Sequence, residues 1–161
     1  MIKEVFMSEL KRILLVEDNS KDVQLTLAAL DQHRLANEVV VLRDGAQALD
    51  YLRHEGEYKH QPHGYPGFIL LDLKMPKVDG LEVLKQIKQD ERLRMIPVVM
   101  LTSSKEERDL VESYRLGVNA YVVKPVDFTE FVNAVKELGA FWAILNEAPP
   151  GTIGKVPQMA A

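Results

Sequence analysis

The stretch from Phe68 to Gly80 constrains the fold more than any other part of the chain. It opens with four apolar residues, Phe68–Leu71, which predict a β-strand buried on both faces. Asp72 follows directly, and then Pro76 and the pair Asp79-Gly80 predict the end of the strand and a turn. We therefore expect Asp72 at the carboxyl end of a buried strand, which is where ligands bind in open parallel α/β sheets.

Further strands and helices are predicted along the rest of the chain. Four other apolar runs have the length of buried strands: Ile13–Val16, Val39–Leu42, Val98–Leu101 and Tyr121–Val123. Amphipathic stretches follow the strands; Ser20 is predicted to cap the first helix, and Ser104–Glu107 fits a capping box for the fourth. This alternation predicts an α/β fold with a five-stranded parallel sheet and helices on both faces.

Length and composition predict one domain with tails. The chain has 161 residues, a formal net charge of −4 and no Cys, so neither nucleic acid, nor an anionic membrane, nor a disulfide framework is expected. No stretch has the apolar core of a signal peptide or the ~18 apolar residues of a membrane span. We expect a cytoplasmic protein with an N-terminal extension over residues 1–10, a domain over 11–145 and a disordered tail over 146–161.

Polar residues that can carry chemistry follow four of the five predicted strands. They are Glu17 and Asp18 after the first strand, Asp72 after the third, Thr102 after the fourth and Lys124 after the fifth. Parallel strands place their carboxyl ends on one edge, so these side chains are expected to lie together. Three carboxylates packed together repel, and they would either hold a proton or bind a cation such as Mg²⁺, which prefers oxygen ligands.

A metal ion, a lysine, a hydroxyl and a carboxylate together predict a place for a phosphoryl group. The cation and the lysine would neutralise its oxygens, the threonine would donate a hydrogen bond, and an aspartate oxygen would attack in line. This is aspartyl-phosphate chemistry. The alternative is that the acids only cap the helices after their strands, but four matched strand ends favour a shared site.

These segments resemble the response-regulator receiver domain, the phosphorylatable half of two-component signalling. The resemblance covers about residues 12–138 and is carried by four motifs in order: Leu-Val-Glu-Asp-Asn at 15–19, Leu-Asp-Leu-Lys-Met-Pro-Lys-Val-Asp-Gly at 71–80, Leu-Thr-Ser-Ser at 101–104 and Lys-Pro at 124–125. It implies a flavodoxin-like, doubly wound sheet in the order 2-1-3-4-5. It also implies a signalling protein that takes part in its own phosphotransfer, and not an enzyme.

The resemblance implies how the phosphoryl group and the metal are held. Asp72 would take the phosphoryl group from the phosphohistidine of a sensor histidine kinase. Asp18 and Asp72, with the backbone carbonyl of Lys74, would bind Mg²⁺, and Glu17 would act through a bound water.

The resemblance also implies a switch. Thr102 would turn toward the phosphoryl group, Lys124 would pair with it, and Tyr121 would rotate inward as the site closes. No room for an output domain is expected after Leu145, so the signal would pass through a changed surface.

The last predicted helix carries a candidate surface for binding another protein. Its apolar stripe widens at Phe141-Trp142, which either packs within the chain or forms a homodimer face. If it forms a dimer, Trp142→Ala should weaken it. This ending and the long loop over residues 54–67 resemble stand-alone receivers that serve phytochrome-type histidine kinases.

Other functions fit the sequence less well. A Mg²⁺-dependent phosphohydrolase with an aspartyl-phosphate intermediate is the main alternative, but it needs an acid two residues after its nucleophile, where Lys74 stands. A nucleotide-binding switch lacks the G-x-x-x-x-G-K-[ST] run, and the intact acids, Thr and Lys disfavour a scaffold that never takes phosphate. His54, His60 and His63 have no regular spacing for zinc.

Overall fold

The structure, a computed structural model, describes residues 11–61 and 64–153. Its strands form one parallel sheet and are β1 (Ile13–Val16), β2 (Val39–Leu42), β3 (Phe68–Leu71), β4 (Val98–Thr102) and β5 (Ala120–Val123). The strand order β2-β1-β3-β4-β5 confirms the predicted doubly wound sheet. The strands β4 and β5 are each one residue longer than predicted.

In the described residues, each of the five strands is followed by an α-helix. They are α1 (Ser20–Asp31), α2 (Gly45–Arg53), α3 (Gly80–Gln89), α4 (Glu107–Arg115) and α5 (Phe128–Gly139), the last of which continues as a π-helical segment over Ala140–Leu145. None of the helices in the described ranges is both long and apolar enough to cross a membrane.

Side-chain caps fix where most helices begin. Asn19, Asp44, Asp79 and Asp127 each accept a hydrogen bond from the backbone N–H three residues further on. The predicted cap at Ser20 is therefore wrong by one residue, because Asn19 takes that place.

The capping box predicted at Ser104 is also wrong. The helix α4 begins only at Glu107, and Glu106 caps it without a side-chain hydrogen bond. The Ser104 hydroxyl instead donates to the carboxylate of Asp109 at 2.6 Å.

The core lies in two layers, one on each side of the sheet. Alternate strand residues face opposite layers, so Leu14 and Ile69 contact the layer under α2 and α3, whereas Ile13 and Phe68 contact the layer under α1 and α5. All residues of β1 and β3 are buried. These two central strands therefore hold the residues that follow them on a rigid base.

Residues 146–153 fall in the segment predicted to be a disordered tail, and hydrogen bonds hold them against the domain. Arg12 N donates to the Ile153 carbonyl at 3.1 Å, and Tyr65 N donates to the Gly151 carbonyl at 2.9 Å. The buried Lys11 ammonium donates to the Asn146 carbonyl at 2.6 Å. Composition misses such an anchor, because backbone groups form most of its bonds. Residues 1–10 and 154–161 lie outside the described ranges.

Gly80 permits the close turn that follows Asp72. Its N–H donates to the Leu73 carbonyl at 2.7 Å. A Cβ at this position would lie 2.2 Å from the Asp72 carbonyl oxygen and 2.7 Å from the Leu73 Cα, which are backbone atoms with little freedom to move. The glycine therefore helps to fix the backbone beside Asp72.

We predict that Gly80→Ala lowers the free energy of unfolding by at least about 2 kcal/mol, because a backbone clash cannot relax by side-chain rotation. Gly139→Ala is the matched control. Its added Cβ meets only the ends of two buried leucine side chains, which can shift more easily than backbone, and alanine favours a helix, so a smaller loss of about 1 kcal/mol is expected. Urea unfolding of both variants measures the difference, and equal losses would contradict this account of Gly80.

Candidate functional site

Three acids converge at the carboxyl edge of the sheet. Glu17 and Asp18 follow β1, and Asp72 follows β3. Each offers a carboxylate oxygen within 4.8 Å of the others, and Glu17 and Asp72 are buried whereas Asp18 is exposed. Among the residues described, no other group of three or more His, Asp or Glu side chains is close enough to share a metal ion.

The ammonium of Lys124 links these acids to β5. Its Nζ donates to Glu17 Oε1 at 2.6 Å and to Asp22 Oδ2 at 2.8 Å, and it lies 3.7 Å from Asp72 Oδ1. The lysine side chain is only 9% exposed, so water screens these ion pairs weakly. Four of the five side chains predicted to lie together are therefore in one cluster.

Burial changes the acidity of this cluster. It raises the pKa of Glu17 to about 7, against the lowering effect of the Lys124 hydrogen bond, and the charge of Asp72 adds to the rise. Burial likewise raises the pKa of Asp72, despite the opposing charge of Lys124. Burial disfavours the charged form of Lys124, but its hydrogen bonds to Asp22 and Glu17 outweigh this and raise its pKa. The acids thus lie where a cation is needed to stabilise their charged forms.

Thr102, the fifth predicted residue, lies at the end of β4, next to β3 in the sheet. It is buried, and its hydroxyl oxygen accepts a hydrogen bond from Ser104 N at 3.2 Å. The Tyr121 hydroxyl donates to the Ser104 carbonyl at 3.1 Å, and the Ser104 hydroxyl donates to Asp109. Ser104 therefore connects the site threonine, the predicted switch tyrosine and α4.

A cleft of about 440 Å³ opens beside the acid cluster. Its lining includes Asp18, Lys74, Met75, Arg108 and Asp109. The cleft therefore borders the acid cluster on the side of Asp18 and of the residues that directly follow Asp72.

Sequence reasoning missed two acids of this region. Asp22 lies in the first turn of the helix that begins just after the Glu17-Asp18 pair, and this closeness in sequence is a signal that could have identified it. Asp109 lies in the first turn of α4, where an acid is expected for helix stability alone, so no sequence signal pointed to Ser104 as its partner.

The cluster fits a divalent cation. Carboxylate oxygens are the ligands that Mg²⁺, Ca²⁺ and Mn²⁺ prefer, and three of them lie close enough to share one ion. His54 and His60 belong to no such cluster, and His63 lies outside the described residues, so the structure adds no support for zinc.

A family model and two curated proteins match most of the chain. The family model of the response regulator receiver domain matches residues 13–136. "Probable methanogenesis regulatory protein FilR2" of Methanothrix harundinacea is 46% identical over 138 residues, which span 85% of this chain and 86% of the relative. Response regulator Rcp1 of Synechocystis sp. is 43% identical over 132 residues, which span 82% and 88%.

Solved structures share the fold over almost their whole length. The phosphorylated cyanobacterial phytochrome response regulator RcpA matches with a TM-score of 0.82 and 44% identity over 87% of this chain and 99% of its own. The Mn²⁺-bound form of Rcp1 gives 0.81 and 42% identity over 86% and 99%. The bacteriophytochrome response regulator AtBRR gives 0.68 and 64% identity over 86% and 99%. On this sequence and structural likeness, the chain belongs to the family of response-regulator receiver domains.

Proposed function

We propose that this receiver acts alone, accepting a phosphoryl group on Asp72 from a histidine kinase and signalling through a changed surface. The observation that carries the proposal is the pairing of a buried Asp72, beside two further acids, with an ammonium 3.7 Å away. The carboxylate attacks phosphorus, the bond from phosphorus to the kinase histidine breaks, and its electron pair stays on the imidazole nitrogen. Lys74, two residues on, supplies no acid for hydrolysis, so the phosphohydrolase alternative is not favoured.

Mg²⁺ is the cation that we propose for the acid cluster. Asp18, Asp72 and the backbone carbonyl of Lys74 would hold it, and Glu17 would act through water. When bound, the ion neutralises charge on the phosphoryl oxygens. Support comes from the oxygen-only ligand set and from the Mn²⁺-bound form of Rcp1.

Thr102, Lys124 and Tyr121 form the proposed switch. Hydrogen bonds from Thr102 and Lys124 to the phosphoryl group exist only in the phosphorylated state, so they favour the conformation that permits them. The Tyr121 hydroxyl donates to the Ser104 carbonyl at 3.1 Å, which ties the tyrosine to the loop after Thr102. Phosphorylation is expected to shift this loop and Tyr121 together, because Ser104 N also donates to the Thr102 hydroxyl.

A phytochrome-type histidine kinase is the proposed partner. The identity to the bacteriophytochrome response regulator AtBRR is 64%, against 46% to FilR2, which favours a phytochrome input over another one. Transfer from a kinase phosphohistidine requires both proteins in one compartment, which we propose to be the cytoplasm.

The last helix is the proposed homodimer face. Trp142 stacks on Phe68 with ring centroids 6.3 Å apart, so this ring packs within the chain. Phe141 stands edge-on to Trp142 at 4.9 Å and remains 48% exposed, and Leu145 is 74% exposed. An exposed aromatic beside an exposed leucine is a typical centre of a protein interface.

Phosphorylation of Asp72 gives the primary test. After incubation with Mg²⁺ and phosphoramidate, whose P–N bond resembles that of phosphohistidine, wild type should gain one phosphate by intact mass, and Asp72→Asn should gain none. Asp31→Asn, which removes an exposed acid at the end of α1, should behave like wild type. A phosphate retained on Asp72→Asn, or none on wild type, would refute the proposal.

Thermal unfolding tests the cation site. Saturating Mg²⁺ should raise the Tm of wild type by several degrees, because it binds only the folded chain, and Asp18→Asn should lose most of this rise. Asp31→Asn is the control variant, which should keep the full Mg²⁺-induced rise in Tm.

The same measurement has a defined pH dependence. Protonation of Glu17, whose pKa is about 7, opposes the cation, so the Mg²⁺-induced rise should be larger at about pH 8 than at about pH 6. Without metal, the stability of the chain changes with pH in the opposite direction. The raised pKa of Glu17 makes the folded state more stable when this carboxyl group is protonated. The contribution of Glu17 to stability is then lost as pH rises through about 7. An Mg²⁺-induced rise in Tm that does not change with pH would contradict the proposed role of Glu17 at the cation site.

Sedimentation velocity at micromolar concentration tests the dimer. Phe141→Ala should shift the chain toward monomer at an almost unchanged Tm, because this ring is half exposed. Trp142→Ala should also lower the Tm, since that ring covers Phe68, so it is the less specific probe. Met95→Ala, at an exposed apolar residue before β4, is the control. Identical sedimentation of Phe141→Ala and wild type would exclude this face.

A further inference from the structure

Asp22 is a site acid that neither the metal cluster nor the proposed switch uses. It lies in the first turn of α1, where its backbone N–H donates to the Asn19 side chain at 3.0 Å. Its carboxylate extends toward β5, and Asp22 Oδ2 lies 2.8 Å from Lys124 Nζ. The side chain of Asp22 is 27% exposed, so the contact is partly shielded from water.

The bonds around Lys124 Nζ explain what this contact does. An ammonium carries three N–H donors. Two are used in short bonds, to Glu17 Oε1 at 2.6 Å and to Asp22 Oδ2 at 2.8 Å. Asp72 Oδ1 lies at 3.7 Å, beyond a direct hydrogen bond. The amine is thus fixed by two carboxylates and keeps one donor for a group attached at Asp72.

We propose that Asp22 is a positioning residue that holds Lys124 toward the phosphoryl site, a role that rests on the proposed function. Glu17 belongs to the acid cluster that fits the cation, so with an ion bound its carboxylate would be shared between that ion and Lys124. Asp22 lies outside that cluster and remains with the lysine alone. A lysine side chain is long and flexible, and a catalytic group accelerates a reaction only when it is held in place.

Two other accounts of Asp22 predict different results. If its carboxylate only stabilises the N-terminus of α1, removing it lowers the Tm and leaves the rate of phosphorylation unchanged. If its charge only repels the incoming phosphoryl group, removing it increases that rate. A positioning role predicts a decrease, and this decrease must depend on Lys124.

The test is the rate of phosphorylation by phosphoramidate at saturating Mg²⁺, with the Mg²⁺ dissociation constant and the Tm measured for each variant. Asp22→Asn should react about three- to tenfold more slowly than wild type, the loss expected for the net contribution of one ordinary hydrogen bond, because the Asn carbonyl can still accept weakly from Lys124. Asp22→Glu keeps the carboxylate, so its rate should lie between those of Asp22→Asn and wild type. Asp31→Asn, on the same helix, should react at the wild-type rate.

A double-mutant cycle with Lys124→Met isolates the contact. In that background Asp22→Asn should have no further effect on the rate, because no ammonium remains to be positioned. An equal decrease in both backgrounds would overturn the positioning role, as would an unchanged or increased rate in Asp22→Asn alone. A wild-type chain that takes no phosphate would instead overturn the proposed function, and this role with it.

Discussion

The arrangement of the site depends on the ion pairs that the ammonium of Lys124 forms. This ammonium joins acids from three separate segments: Glu17 after β1, Asp22 in α1 and Asp72 after β3. Repulsion between carboxylates so close together favours their separation, and burial increases the cost of their charge. One shared cation from β5 opposes both effects, and so couples the edge strand β5 to the centre of the sheet.

The two sides of the site are built differently. Glu17 and Asp72 follow strands whose residues are all buried, so moving them would disturb both layers of the core. Thr102 faces a loop held by the three bonds of Ser104, to Thr102, Tyr121 and Asp109. Single hydrogen bonds contribute only about 1 kcal/mol net. A phosphoryl group that forms one or two new bonds can therefore change the population of this loop while the acid side stays in place.

The sequence predicted the sheet and the convergence of the acids because both follow from strong rules. Buried apolar runs identify strands, and parallel topology brings their carboxyl ends together whatever the loops do. The wrong predictions concern helix caps, where either two residues compete for one capping bond or one residue has two candidate partners. Asn19 and Ser20 are both good caps, and Ser104 suits a cap as well as it suits Asp109. Composition could not predict the contacts of residues 146–153, because these are backbone hydrogen bonds to Arg12 and Tyr65.

Charge balance suggests an order of events at the site. With Glu17, Asp18, Asp22 and Asp72 ionised against Lys124 alone, the cluster carries a formal charge of about −3, which repels a phosphoryl donor. A divalent cation held by the acid cluster would offset most of that charge, and it would also weaken the attraction between Glu17 and Lys124. The cation should therefore bind before the phosphoryl group. With Glu17 drawn toward the cation, the carboxylate of Asp22 would make the remaining short hydrogen bond that keeps Lys124 beside Asp72.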